Sequence, residues 1–240
     1  MKLEDLISDS IEIESVDELF VLYTNFMKEL GLDRVLFALI NSHPRLMKEA
    51  EHGVFYSYPE TWVQHNLQSG YDCIDPVRHR IFSHVGPFTW EELIGSGKLT
   101  DKQLLLFNEA KDARLFSGLG VALHGPAGAI AGIGAASSEK DIDLNDALLN
   151  QANLASNQFY TCYWRLMEKE NAFVPIKLTD KEREVLMWSA SGMTKSQIAD
   201  KLTISVHTVD FHIRNCLRKL EARNITSAVV RALNMGLIQI

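Results

Sequence analysis

Apolar residues return at three- and four-residue steps along much of the chain, and elsewhere alternate or cluster in short runs. The first pattern predicts helices and the second strands. Val16 to Leu30 is amphipathic and ends at Gly31. The run VLFALI within Asp33–Ile40 predicts an apolar strand, and His52–Tyr56 a second, short one. Helices are expected over Glu60–Gln68 and Thr100–Arg114. Leu119–Leu123 and Ala129–Ala135 read as paired strands joined at HGPAG, a Gly- and Pro-containing turn. A long helix from about Asn145 to Glu168 closes this part. Helices at both ends with strands between them predict an α+β fold: an α/β/α sandwich around an antiparallel sheet.

The pattern changes near Lys169. EKENAFVPIK interrupts the helical period, and Pro175 disfavours helix at Val174. We therefore divide the chain into a first domain, 1–170, a linker, 171–177, and a second domain, 178–240. The second reads as all-α. Leu178–Ser191 opens with Thr179 and Glu182 at capping-box spacing and stops at Gly192. Thr194 and Gln197 open a short helix to about Lys201, and Leu202–Ile204 turn the chain into a longer helix, Val206–Leu220. A last helix is expected near Thr226–Leu237. This order is a helix-turn-helix within a four-helix module.

The Val206–Leu220 helix has two unlike sides. Val209, Ile213, Cys216 and Leu220 make an inward stripe, with Val206 and Leu217 at its edge. His207, Phe211, Arg214, Asn215 and Arg218 fall opposite. Two readings fit: a solvated amphipathic helix with a stray aromatic, or a recognition helix laid in a DNA groove.

Charge favours the groove. Residues 171–240 hold ten Lys or Arg against six Asp or Glu, while the first 170 hold fourteen against twenty-five. The net charge of −7 therefore hides a basic small domain behind an acidic larger one, and only the basic one suits phosphate contacts. Three cysteines, Cys73, Cys162 and Cys216, have no metal-ligand spacing, and their odd number argues against a secreted disulfide framework. The start MKLEDLISDSIEIE is too acidic for a signal peptide, and no apolar run is long enough for a membrane span, so a cytoplasmic protein is expected. His43, His52, His65, His79, His84 and His124 form no compact metal set. GAIAGIG lacks the dinucleotide fingerprint, and no nucleophile motif is present. No enzyme activity, cofactor or metal is expected.

In the first domain Tyr58, Trp62, Asp75 and Trp90 stand out. Each has an ordinary explanation: the tryptophans could fill the core, Tyr58 could bond a carbonyl, and Asp75 could cap a turn before Pro76.

Two resemblances add to this reading. LTDKEREVLMWSASGMTKSQIADKLTISVHTVDFHIRNCLRKL resembles the DNA-binding domain of the LuxR family of transcription regulators, with matches at Leu178, Thr179, Glu182, Val185, Leu186, Gly192, Thr194, Ile198, Ala199, Leu202, Ser205, Thr208, Val209 and His212. YPETW, GYDCIDP and FTWEE, in that order, resemble the acyl-homoserine-lactone-binding domain of the same family. The resemblance implies a cytoplasmic quorum-sensing regulator that binds a lactone autoinducer and, as a homodimer, a two-fold-related duplex site, with RNA polymerase as a further partner. It implies that Trp62 donates to the lactone carbonyl, Asp75 accepts the ligand amide N–H, and Tyr58 donates to the acyl carbonyl. It implies that Trp90, Leu106, Phe107, Ala110 and Leu115 wall the lactone, with Tyr71 along the acyl chain. In the DNA-binding domain it implies that Asp210, Phe211 and Arg214 face the groove, while His207, Thr208, Arg218 and Lys219 lie near phosphates. Asn66 stands where many relatives carry tyrosine, Gly134 where they carry serine or threonine, and Asp210 where lysine is common. The first two predict more room beside the sheet. A LuxR-type regulator that answers a non-lactone molecule, or none, is the alternative. A phosphoacceptor regulator fits poorly, because the first 170 residues lack the early acidic pair and the strand-ending aspartate.

Overall fold

The structure is a computed structural model that describes residues 1–41, 54–125, 129–169 and 176–239. The chain forms two compact units, the first holding the sheet and the second the C-terminal helices.

The first unit opens with helices α1 (Leu3–Glu12) and α2 (Val16–Glu29). Its sheet contains β1 (Arg34–Asn41), β2 (Val54–Tyr56), β3 (Gly86–Thr89), β4 (Ser117–His124) and β5 (Ile130–Ser137), ordered β2-β1-β5-β4-β3 with every neighbouring pair antiparallel. Between β2 and β3 lie α3 (Glu60–Gln68), a 3-10 turn (Tyr71–Cys73) and α4 (Pro76–Ile81). Between β3 and β4 lie α5 (Trp90–Gly95) and α6 (Asp101–Asp112). The long helix α7 (Asp146–Lys169) follows β5. The expected α/β/α arrangement is borne out.

Cross-strand register gives the sheet two different faces. Leu119, Val121 and Leu123 pair with Ala135, Ile133 and Ala131 on one face. That face is closed by aromatic packing: Phe37 lies 5.2 Å from Phe159 and 5.1 Å from Tyr163 of α7, and Phe159 lies 4.8 Å from Tyr23 of α2. On the other face Gly118, Gly120 and Ala122 pair with Ala136, Gly134 and Gly132. This strip of small side chains sits beneath an apolar cluster drawn from α3, α4, β3, α5 and α6.

Several elements escape the sequence pattern. Helix α1 is tied to α7 by Arg165, which donates to the carbonyls of Ser10 at 3.1 Å and Ile13 at 2.9 Å, and also to that of Ile11. β3, α4 and α5 have four, six and six residues, too few to display a period. Residues 126–128 of the turn between β4 and β5, most of the expected linker, and His43 and His52 lie outside the described residues.

The second unit is all helical: α8 (Asp180–Ala190), α9 (Lys195–Leu202), α10 (Val206–Lys219) and α11 (Ile225–Asn234). Both expected capping boxes form, Thr179 with Glu182 and Thr194 with Gln197, and Ser205 caps α10 by accepting from the Thr208 N–H. Gly192 follows α8 at φ +81°, where a side chain would be strained. Val209, Ile213, Cys216 and Leu220 are buried as the stripe requires, against Val185, Leu186, Ile198 and Ala228.

Candidate ligand pocket and nucleic-acid interface

Local capping sets two key side chains in the first unit. Asp75 is the N-cap of α4, its Oδ1 accepting from the Val77 N–H at 2.8 Å. Thr89 caps α5 by accepting from the Glu92 N–H at 3.1 Å, which makes Trp90 the first residue of that helix. Gly70, at φ +65°, turns the chain from α3 into Tyr71. Trp62, on α3, joins Tyr71, Trp90, Leu106, Phe107, Ala110 and Leu115 in one buried cluster, with Tyr58 packed against it. Six separated segments thus converge, Trp90 and Phe107 with ring centroids 5.6 Å apart.

Tyr58 and Asp75 are half-buried, and both lie deep enough in the unit for burial to shift their ionisation. They also feel each other electrostatically. Burial, helped by the Asp75 charge, pushes the Tyr58 hydroxyl well above the usual tyrosine range, so it remains a proton donor. Burial likewise pushes the Asp75 carboxyl up, against the opposing pull of the Val77 and Arg78 N–H groups and the His79 and Arg78 charges. Gly134 borders the same place. A Cβ built there would meet the Tyr58 hydroxyl at 3.2 Å and, among the described residues, nothing else within 4 Å. The other glycines of the strip are covered: Gly118 by Trp90, Gly120 by Phe88 and Gly132 by Ile81, each closer than 3 Å to a built Cβ. The Trp90 indole N–H is buried with no acceptor among the described residues.

A second set of bonds braces the cluster from outside. Glu109 Oε2 accepts from the Tyr71 hydroxyl at 2.8 Å and pairs with His65 Nε2 at 2.8 Å, linking α6 to α3 and the 3-10 turn. His65 and Tyr71 together hold the Glu109 carboxyl below its ordinary range. Sequence reading missed Glu109 and His65; the one available signal was a histidine one turn after Trp62. A groove of about 740 Å³ also includes Trp90 and Phe107, but its rim carries Glu91, Glu92, Lys111, Asp143 and Asp146, and neither Tyr58, Trp62 nor Asp75 lines it. Its mixed charge separates it from the apolar cluster.

In the second unit, α10 presents His207, Phe211, Arg214 and Arg218 to solvent, with Thr208, Asp210, Asn215 and Lys219 partly covered. Phe211 is 54% exposed, more than a core residue tolerates. The Thr208 hydroxyl is paired with that of Ser205 at 2.8 Å. Arg214 touches the Asp210 carbonyl only through Nε, at 3.4 Å, and Arg218 reaches Asn215 Oδ1 at 3.3 Å. Asp210 pairs with Lys195 on α9 at 2.5 Å. Lys219 turns inward: its ammonium donates to Glu182 Oε2 at 2.6 Å and to the Lys177 carbonyl at 3.0 Å.

Residues 15–163 match the model of the autoinducer binding domain, and residues 177–232 match that of bacterial regulatory proteins of the luxR family. The chain belongs to the LuxR family of transcription regulators. Among its relatives, the transcriptional activator SolR of Ralstonia solanacearum is 30% identical over 235 residues, covering 94% of this chain and 94% of that protein. The quorum-sensing regulator RhlR of Pseudomonas aeruginosa is 27% identical over 98% of this chain and 95% of its own length. The crystal structure of Escherichia coli SdiA shares the fold, with a TM-score of 0.78 at 23% identity over 99% of this chain and 98% of that one. The relatives are transcription regulators rather than enzymes, and this LuxR-type chain is an autoinducer-binding transcription regulator.

Two of the α10 residues expected at the DNA have partners within their own unit. Lys219, expected near phosphate, has two of its three donors engaged inside its own unit. Asp210, expected to face the groove, is paired with Lys195 of α9.

Proposed function

We propose that this LuxR-family chain is a cytoplasmic receptor for an acyl-homoserine lactone that binds a two-fold-related duplex site as a homodimer. Residues 1–170 bind the ligand and dimerise, and residues 178–240, beyond the 171–177 linker, read DNA. The observation that carries the ligand class is that the Tyr58 hydroxyl and the Asp75 carboxylate, both deeply placed, lie near enough to act on each other electrostatically, with Gly134 against the Tyr58 hydroxyl. A lactone amide presents one N–H and two carbonyls. Asp75 accepts the amide N–H through lone pairs that its capping bond leaves free, as a charge-assisted bond. Tyr58 donates to the acyl carbonyl and Trp62 to the lactone carbonyl. Trp90, Leu106, Phe107, Ala110 and Leu115 wall the ring, and the acyl chain leaves past Tyr71 and Gly134. The Trp90 N–H, without an acceptor among the described residues, supports a ligand that brings one, because a buried donor without an acceptor is costly.

DNA is read by α10. Asp210, Phe211 and Arg214 enter the groove, and His207, Thr208 and Arg218 meet phosphates. Two copies present two such helices to sites separated by the helical repeat of the duplex. RNA polymerase is then the partner through which transcription changes.

Isothermal titration of the folded chain with a panel of acyl-homoserine lactones tests the ligand. One chain length should bind, and Asp75→Ala should weaken it by about 1–3 kcal/mol by leaving the amide donor unpaired. An intact fold that binds no lactone of any length would overturn the lactone reading in favour of a non-lactone signal, identifiable by mass spectrometry of whatever co-purifies.

A further inference from the structure

Asp210 is a carboxylate set among cations. Lys195 reaches it from α9 at 2.5 Å, and the charges of Arg214 and His207 act on it from its own helix. The hydrogen bond from Lys195 does most to hold its carboxyl below the usual range, so it is an anion at neutral pH. The pair stands in water, with 55% of the Lys195 side chain and 40% of the Asp210 side chain exposed. Pairs this exposed add little to stability. What this one does determine is where the Lys195 charge points. Lys195 is the first residue of α9, the leading helix of the helix-turn-helix, and such helices cross the phosphate backbone while the next enters the groove. Its natural partner on DNA is a phosphate, and Asp210 occupies that place in advance.

We propose that Asp210 and Lys195 form an exchange switch on the DNA-facing surface: a phosphate takes the Lys195 ammonium only by displacing Asp210, and the displaced carboxylate is satisfied only where the groove offers an exocyclic amine of cytosine or adenine. This rests on α10 being the recognition helix. On arbitrary sequence the complex has two poor options. It keeps the Asp210–Lys195 pair and forfeits a phosphate contact, or it frees Lys195 and leaves an anion facing a negatively charged groove. A sequence with an amine at the right step removes the conflict, because a carboxylate accepts from such an N–H. The switch thus weakens sequence-independent binding without weakening the correct site.

A double-mutant cycle on the full chain tests it. Wild type, Asp210→Asn, Lys195→Ala and the double variant are titrated on a mixed-sequence duplex and on a duplex selected by wild type from a random pool, between 50 and 200 mM salt. Asp210→Asn should bind the mixed-sequence duplex more tightly. Its salt slope should steepen by about 1, so affinity should fall about fourfold more across that range. Both effects should vanish when Lys195 is already Ala, and preference for an amine-bearing base should relax at one position per half-site. Melting curves confirm that these surface variants fold. Asp210→Asn with unchanged mixed-sequence affinity, or with the same gain whether or not Lys195 is present, overturns the switch while leaving DNA reading intact. Wild type that selects no duplex overturns DNA reading, and the switch with it.

Discussion

Asp75 caps α4 with its carboxylate while lying deep enough for burial to raise its pKa. A raised folded-state value means that the folded chain binds more protons than the unfolded chain across that interval. Stability therefore falls as pH rises from the ordinary carboxylate range through the folded value. Asp75→Asn removes this penalty and keeps a carbonyl for the Val77 N–H. We expect the ligand-free first unit to melt higher at neutral pH and with less pH dependence, while lactone affinity drops because the acceptor has lost its charge. Thermal melts across pH alongside ligand titration check both halves; an unaltered melting profile would remove burial of the charge as the cause. Gly134 lies against the Tyr58 hydroxyl. Gly134→Ser places a Cβ 3.2 Å from that hydroxyl, so the tyrosine must shift by a few tenths of an ångström or bond to the new one. Ligand ranking should move toward chains with a 3-oxo or 3-hydroxy group, read by titration of both proteins against the same panel. An identical ranking would take Gly134 off the path.

Among the elements, the helices of the second unit were legible almost residue by residue. Their caps are local, so Thr179, Glu182, Thr194, Gln197 and Ser205 announce themselves in sequence. The charge pairs that join helices were not. Lys219 with Glu182 and His65 with Glu109 lie 37 and 44 residues apart, and no period tells which distant charges meet. The aromatic stations of the first unit showed up as residue types. What placed them, the caps at Asp75 and Thr89 on six-residue helices, lay below the resolution of any pattern. Lys219 shows the consequence. Glu182 is only 2% exposed and is paired with Lys219. Burial pushes its carboxyl up, yet the Lys219 ammonium and the Thr179 N–H outweigh that and bring it below the usual range. This contribution is present above the unfolded carboxylate pKa and is lost as pH falls through the folded value. Lys219→Ala strands the carboxylate, so the second unit should lose about 1–3 kcal/mol. Denaturant melts measure this, and the salt slope of DNA binding should stay unchanged. A reduced slope with unchanged stability would return Lys219 to the phosphates.

The whole molecule carries two cores, so ligand and temperature act on it in parts. Ligand held by the folded first unit stabilises that unit by about 2.7 kcal/mol at a hundredfold excess over Kd. Calorimetry with and without lactone should move one transition upward and leave the other in place. Transitions that move together would mean the units melt as one. The sheet bears on what such a ligand can be. On its pocket face Gly118, Gly120, Ala122, Gly132, Gly134 and Ala136 present hardly any relief. For a ligand seated on that face as proposed, the contour is drawn by what leans over the blank wall: Trp90, Phe88, Ile81 and Tyr58. Lengthening or shortening one of those four re-cuts the mould, while strand register and the aromatic packing behind the sheet stay as they are. A receptor built this way can be retuned to a new signal from the cover alone.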